Sequence, residues 1–423
     1  MRYMKSVISL PDTVMTGSVV IDPQLNLGPI SRILTLRYDP LSKPVRPPLS
    51  PHDFTPKNSE GVQDTIVEIT RRGLLSRQRE LGFRRASLSL SAGIDSGLTL
   101  AMLRKFLPKV KLKCISVGFG DRDDETERAR EIARTHNCDF TEMILDDVLA
   151  SLPKLINIVK EPRWNLYQYY ALEEGRRTSD VFYSGDGGDE LFGGYTFRYA
   201  KFLSMVGDGW RDRTMNYLAC HERDWVPDQE QMFGREIKFS WDEVYQVLRP
   251  NFDNNLPPLD QVFLADFNGK LLHDWLPTNR AFEKSLRIKI ESIFLTDEII
   301  QFATRVPWQL KYDPEMAVGK MPLRAILSLQ QGFEGAQPVK KGFSADLASL
   351  WVRGAREVVD RYVNADSEVV KKGLVNAEWL IKSSGRLGQE PDLRYVSKML
   401  SILALEVWHR LFVTGTMNAG QRL

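Results

Sequence analysis

Two short stretches set acidic side chains among residues too small to build a core. The first, Ser91-Ala92-Gly93-Ile94-Asp95-Ser96, follows an alternating Ser/Leu run and leads into an apolar helical pattern. Small residues at such a turn let backbone N–H groups approach phosphate oxygens, the hydroxyls of Ser91 and Ser96 add donors, and the next helix offers its positive end. A carboxylate in a phosphate cradle is repulsive by itself. Asp95 makes sense there as a ligand for magnesium, a hard cation that takes carboxylate and phosphate oxygens together. A turn with a helix cap would also account for this stretch taken alone. The second stretch, residues 182–195 (FYSGDGGDELFGGY), holds five glycines and three acidic residues in fourteen positions. That mix is costly in any regular element and marks a functional loop.

Both stretches need strands and helices to aim them. Ala86–Leu90 reads as a strand, Gly97–Phe106 as a helix stopped by Pro108, Lys111–Phe119 as a strand and Glu125–His136 as a helix with Ala129, Ile132 and Ala133 on one face. Phe140–Leu145 and Asp180–Tyr183 are further strand candidates, and residues 61–85 open with a helical pattern. Such alternation implies a doubly wound parallel α/β sheet with helices on both faces, whose ligands collect at the carboxyl ends of strands. Residues 1–60 are expected to be a small N-terminal appendage with β-like pieces such as Ile33–Tyr38, ending in a proline-dense connector, SKPVRPPLSPHDFTP. Residues 61–423 then form the main domain, with an α/β core over 61–200 and a largely helical part over 201–423.

Composition excludes several classes. With 423 residues, 43% hydrophobic and 26% charged, the chain can bury a large core. Its 57 basic and 55 acidic residues leave a net charge of only +2, so no field favours nucleic acid or an anionic membrane surface. No apolar run reaches the ~20 residues that span a bilayer, and Pro11 and Asp12 cut the leading segment before a signal core forms, so a cytoplasmic location is expected. Cys114, Cys138 and Cys220 are odd in number and far apart, which suits reduced thiols better than a disulfide frame or a zinc site.

Together the two stretches resemble the synthetase domain of the asparagine synthetase and β-lactam synthetase family, a group of ATP pyrophosphatases with a PP-loop of pattern S-G-G-x-D-S. Ala92 replaces the first glycine, and Ser184 to Tyr195 match the family's S-G-[DE]-G-[AG]-D-E-L-F-G-G-Y throughout. Further matches run in family order over roughly residues 60–410: Ser116-Val117-Gly118-Phe119, Asp124-Glu125 with Ala129-Arg130, Glu161-Pro162, Lys320-Met321-Pro322-Leu323-Arg324, and Lys340-Lys341-Gly342-Phe343 with Trp351. The resemblance implies an ATP-dependent, Mg²⁺-dependent ligase that adenylates a small-molecule carboxylate and passes it to an amine. It implies that Asp95 and Asp189 hold the metal, that Ser91, Gly93 and Ser96 bind pyrophosphate, and that Leu90, Val117, Ser184, Gly185 and Lys340 lie along the nucleotide. Lys320 would neutralise the α-phosphate and carboxylate as they meet, and Asp186 or Glu190 would orient or deprotonate the amine.

Departures from the family limit what carries over. Glutamine-dependent members begin with a glutaminase whose nucleophile is a cysteine after the initiator methionine; here residue 2 is Arg2 and no cysteine precedes Cys114. The chain is therefore expected not to hydrolyse glutamine, leaving free ammonia, ammonia from a separate partner protein, or a substrate amino group as nucleophile, and leaving a homodimer open. Where the family carries E-x-R-x-P-F-L-D, this chain reads Lys289 to Thr296, with Lys289 for the glutamate and Glu291 for the arginine, and Pro338 stands where arginine is usual. These changes point away from plain aspartate as the acid. The readings are a ligase of specialised biosynthesis, lactam-forming where acid and amine share one molecule, an ammonia-dependent asparagine synthetase, and a non-catalytic nucleotide-binding subunit. Keeping Asp95, Asp186, Asp189 and Lys320 argues against the last.

Overall fold

The strand after Phe83 shows how the Ser/Leu alternation is used. In β1 (Arg85–Ser89), Ala86 and Leu88 bury against one helical layer, while Ser87 points to the other and is equally buried. Its hydroxyl meets Ser179 Oγ at 2.8 Å and Gly175 O at 3.2 Å, so a polar residue sits in a dry layer with its hydrogen bonds made. The computed structural model describes residues 27–55, 60–119, 124–205, 207–330, 332–333, 346–388 and 391–423. Lys340, Lys341, Gly342 and Phe343 lie outside the described residues.

Five strands form one parallel sheet: β1, β2 (Lys111–Gly118), β3 (Asp139–Ile144), β4 (Val181–Ser184) and β5 (Lys289–Ser292), in the order β3-β2-β1-β4-β5. Between them run α1 (Leu27–Leu36), α2 (Val62–Leu81), α3 (Ile94–Phe106), α4 (Asp124–Thr135), α5 (Leu152–Val159), α6 (Gln168–Arg176) and α7 (Gly188–Phe192), with α1 and α2 ahead of β1 and α7 directly after β4. Alternate residues divide the sheet between two layers. Leu88, Leu112, Cys114, Val181 and Tyr183 face α2, α3 and α4, whereas Ile115 and Phe182 face α5 and α6. The doubly wound sheet expected from the alternation is thus present. All three cysteines are free thiols, and no helix among the described residues is long and apolar enough to cross a membrane.

One reading needs correction. The expected β-like piece Ile33–Tyr38 is the end of α1 and the turn that follows. Ile30, Ile33 and Leu34 recur at helical spacing, and Ile30 and Leu34 join the core shared with the helix Leu393–Phe412. That burial overrides the extended preference of the β-branched residues. Sequence reading also passed over β5, a short strand within the part of the chain that is mostly helical, as expected. Lys289-Ile290-Glu291-Ser292 offers one apolar residue, too little for a strand signal, yet it pairs with all four residues of β4.

The fit of α6 on the sheet gives a stability test. A Cβ at Gly175 would lie 2.6 Å from Phe182 Cδ2 and 3.0 Å from Ser87 Cβ, and Phe182 is locked in the core. Gly175→Ala is expected to cost about 1–3 kcal/mol, the usual range for overpacking. Urea unfolding measures it, and an unchanged midpoint would refute the packing.

Candidate active site

In a sheet of this order the chain leaves β1 toward β2 on one side while β4 lies on the other, so the carboxyl ends of β1 and β4 flank a crevice. The two glycine-bearing stretches begin there. After β1, Ser91 N–H donates to Ser96 Oγ at 3.1 Å and Gly93 N–H donates to Ser91 Oγ at 3.1 Å, which shapes the turn before α3. Leu90 is buried, its N–H donating to Ile115 O at 2.9 Å, and Val117 is half-buried near the end of β2. After β4, Ser184 and Gly185 lead into α7.

Asp95 and Asp189 stand in the first turns of α3 and α7, and both reach one cation. Lys320 Nζ lies 2.6 Å from Asp189 Oδ1 and touches Asp95 Oδ2. The approach is close enough that only glycine fits beside it: a Cβ at Gly188 would sit 2.6 Å from Asp95 Cγ, and one at Gly194 2.7 Å from Asp189 Cγ. Lys320 is 4% exposed and precedes the helix Met321–Ser328 with a left-handed φ of 57°, a costly backbone for a non-glycine residue that concentrates at functional sites. Its N–H donates to Phe192 O at 3.0 Å, fastening the turn to the end of α7. Burial alone would push the ammonium pKa down; Asp189 and Asp95 overcome that and hold it above the ordinary lysine value.

The other two carboxylates differ in surroundings. Asp186 is half-buried, and its Oδ2 accepts from Ser184 Oγ and from Asn279 Nδ2, both at 2.8 Å. Burial raises its pKa, opposed by those two donors and reinforced by the charge of Asp189. Glu190 is buried and accepts from Tyr195 OH at 2.6 Å. Desolvation, then the charge of Asp189, push its pKa up to about 7 against that hydrogen bond. Behind it the Arg198 guanidinium lies 3.5 Å over the Tyr195 ring and pairs with Asp266 at 3.3 Å.

Of the residues named from sequence, Asp95 and Asp189 both contact Lys320. Asp186 and Glu190 flank them in the same loop, and Leu90, Ser91, Gly93, Ser96, Val117, Ser184 and Gly185 line the strand ends. Trp351 is a core residue, its indole N–H donating to Leu387 O at 3.3 Å. Glu161 accepts from Arg163 Nε at 2.7 Å. Sequence reading missed Asn279 and Ser292, whose Oγ donates to Asp186 O at 2.6 Å, because neither lies in a glycine-rich motif. It also missed Arg77 of α2, which pairs with Glu291 at 2.9 Å.

Among the described residues no three His, Cys, Asp or Glu side chains gather into a metal cage. Asp95 and Asp189, two carboxylates that converge on one cationic centre, are nonetheless oxygen donors of the kind that would suit Mg²⁺.

The asparagine synthase family model matches residues 77–410. The chain is similar to asparagine synthetase 1 (glutamine-hydrolyzing) of Bacillus subtilis, 31% identical over 261 residues, or 52% of this chain and 40% of that protein. It is also similar to a putative glutamine-hydrolyzing asparagine synthetase of Mycobacterium tuberculosis, 30% identical over 366 residues, or 77% of this chain and 54% of that protein. The chain thus spans about half the length of these curated relatives. The solved NAD+ synthetase of Burkholderia pseudomallei aligns with 62% of this chain at 12% identity and a TM-score of 0.22, and the fold described above rests on this chain's own strand order.

The raised pKa of Glu190 gives a pH test. The stability it contributes is complete below the unfolded carboxyl value, near 4.3, and is lost as pH rises to about 7. Glu190→Gln keeps the size and the acceptor without the charge. It is expected to be more stable than the parent at about pH 8, by roughly 1–3 kcal/mol, with the gain fading toward about pH 4. Urea unfolding across that range measures it; a variant no more stable than the parent at alkaline pH would refute the assignment.

Proposed function

Because this chain belongs to the asparagine synthase family, we propose that it is an ATP-dependent, AMP-forming carbon–nitrogen ligase. A carboxylate oxygen of the acid substrate attacks the α-phosphorus of ATP, the bond to the β-phosphate breaks and pyrophosphate leaves. An amine nitrogen then attacks the acyl carbon, the bond to AMP breaks, and the proton lost from nitrogen passes to a base of the site. The observation that carries this reading is the convergence of Asp95 and Asp189, from separate strand ends, on the Lys320 ammonium.

The residues divide the work by their chemistry. Asp95 and Asp189 would hold Mg²⁺, which when bound supplies positive charge to the pyrophosphate leaving group. Ser91, Gly93 and Ser96, at the start of α3, would turn their hydroxyl and N–H donors from the bonds within the turn to phosphate oxygens. Lys320 is a compact, permanently charged ammonium suited to the α-phosphate and the carboxylate as their charges meet. Asp186 and Glu190, both with raised pKa, are the candidate acceptors of the amine proton.

The acid is read as a specialised one, with ammonia or an amino group of the substrate as nucleophile. In β5, Glu291 stands where the resemblance puts an arginine and pairs with Arg77, so an acidic group held in an internal ion pair takes the place of a cation. The test is a panel of carboxylic acids with ATP and Mg²⁺, with and without ammonium, followed by release of pyrophosphate and AMP. Asp189→Ala or Lys320→Ala is expected to cost at least about 10²-fold in that release. ADP and phosphate as products would overturn the mechanism. Turnover of aspartate, and only with ammonium, would select asparagine synthesis, while turnover of an amino acid without ammonium would select ring closure.

A further inference from the structure

Asp186 is held in an unusual way for a half-buried carboxylate. Both side-chain donors that reach it, Ser184 Oγ and Asn279 Nδ2, go to the same oxygen, Oδ2. The other oxygen, Oδ1, has no partner among the described residues and is not enclosed. The main chain is fixed as well: Ser292 Oγ, at the end of β5, donates to Asp186 O at 2.6 Å and accepts from Phe294 N–H at 3.1 Å. Asn279 comes from the helix Leu276–Leu286, outside both glycine-bearing stretches.

We infer that Asn279 is a positioning residue for amide transfer: with Ser184 it fixes the rotation of the Asp186 carboxylate, so that Oδ1 faces the incoming amine. The functional half of this inference rests on the ligase reading. A carboxylate with both donors on one oxygen has a single oxygen left for a ligand, and a primary amine or ammonium is the ligand that matches it. As nitrogen bonds to the acyl carbon and the carbon–oxygen bond to AMP breaks, the proton on nitrogen passes to Oδ1. A free carboxylate would lose orientation and present either oxygen, at a cost in the fraction of productive encounters.

The electrostatics agree with the geometry. Burial and the charge of Asp189 favour the protonated carboxyl, and the two donors favour the carboxylate that can accept a proton. The facing groups from β5 and from the helix Leu276–Leu286 are the neutral Ser292 and Asn279. Removing Asn279 therefore raises the pKa of Asp186, and the basic form appears only at higher pH.

The experiment reads that shift without needing the substrate. Protein labelled with ¹³Cγ-aspartate is titrated by NMR, and the resonance missing from Asp186→Asn identifies the group. In Asn279→Leu, which removes the donor at similar volume, the midpoint is expected to rise by about one unit. Ser184→Ala removes the other donor on Oδ2, should move the midpoint the same way, and leaves the helix untouched. An unmoved midpoint in both variants overturns the inference. With an acid and amine found by the pyrophosphate panel, Asn279→Leu is expected to raise the amine KM about tenfold, to leave the ATP KM near the parent value, and to move the acidic limb of the rate profile upward. An unchanged amine KM and pH profile would overturn the functional half. If no acid in the panel releases pyrophosphate, the ligase reading falls instead, and the NMR titration still decides what Asn279 does to Asp186.

Discussion

The ammonium of Lys320, held between the carboxylates of Asp95 and Asp189, is the interaction on which the rest of the site depends. Taking an ammonium out of water costs several kcal/mol, and the cost is met only when oppositely charged partners are very near. Each local oddity serves that closeness. Gly188 and Gly194 let the carboxylates in, and the left-handed backbone at Lys320 turns its side chain inward while its N–H grips Phe192 O. The trio carries two negative charges to one positive, so it retains a net attraction for a further cation.

The sheet order explains why these three residues meet at all. Asp95 and Asp189 begin the segments after β1 and β4, which are neighbours in space although other strands and helices separate them in the chain. Lys320 arrives from beyond β5, on a turn after the short hairpin of Tyr312–Asp313 and Val318–Gly319. Arg324 Nε donates to Gly319 O at 2.8 Å, stiffening that turn from the next helical turn onward.

Much of this was legible in the sequence because its causes are local. The glycines and carboxylates of residues 182–195 announce a loop whatever surrounds them, and alternating strand and helix patterns fix a parallel sheet. What escaped notice depends on long-range packing. The α1 segment reads as extended because Ile33, Thr35 and Tyr38 prefer it, and burial of Ile30 and Leu34 in a core assembled from distant segments, the helix Leu393–Phe412 among them, makes it helical. β5 is four residues with one apolar side chain, defined by its partner and not by its own composition. Asn279 carries no pattern of its own; its meaning comes from the oxygen it meets, on a loop 93 residues earlier. Glu291 stands where the resemblance gives an arginine, and its partner Arg77, far off on α2, carries no motif that announces the pair.

The span between Asp95 and Lys320, 225 residues, also bears on how the protein is made. Ordering so distant a contact must await the segments between, since chain entropy is lost before the contact repays it. On a ribosome, β1 and β2 emerge and can pair early, yet β4 stays an open edge until β5 is synthesised, and the crevice between β1 and β4 lacks its ammonium until the turn at Lys320 emerges. A nascent chain halted before that turn lacks the cation that Asp95 and Asp189 share, so the cluster closes only after about three quarters of the chain has been made.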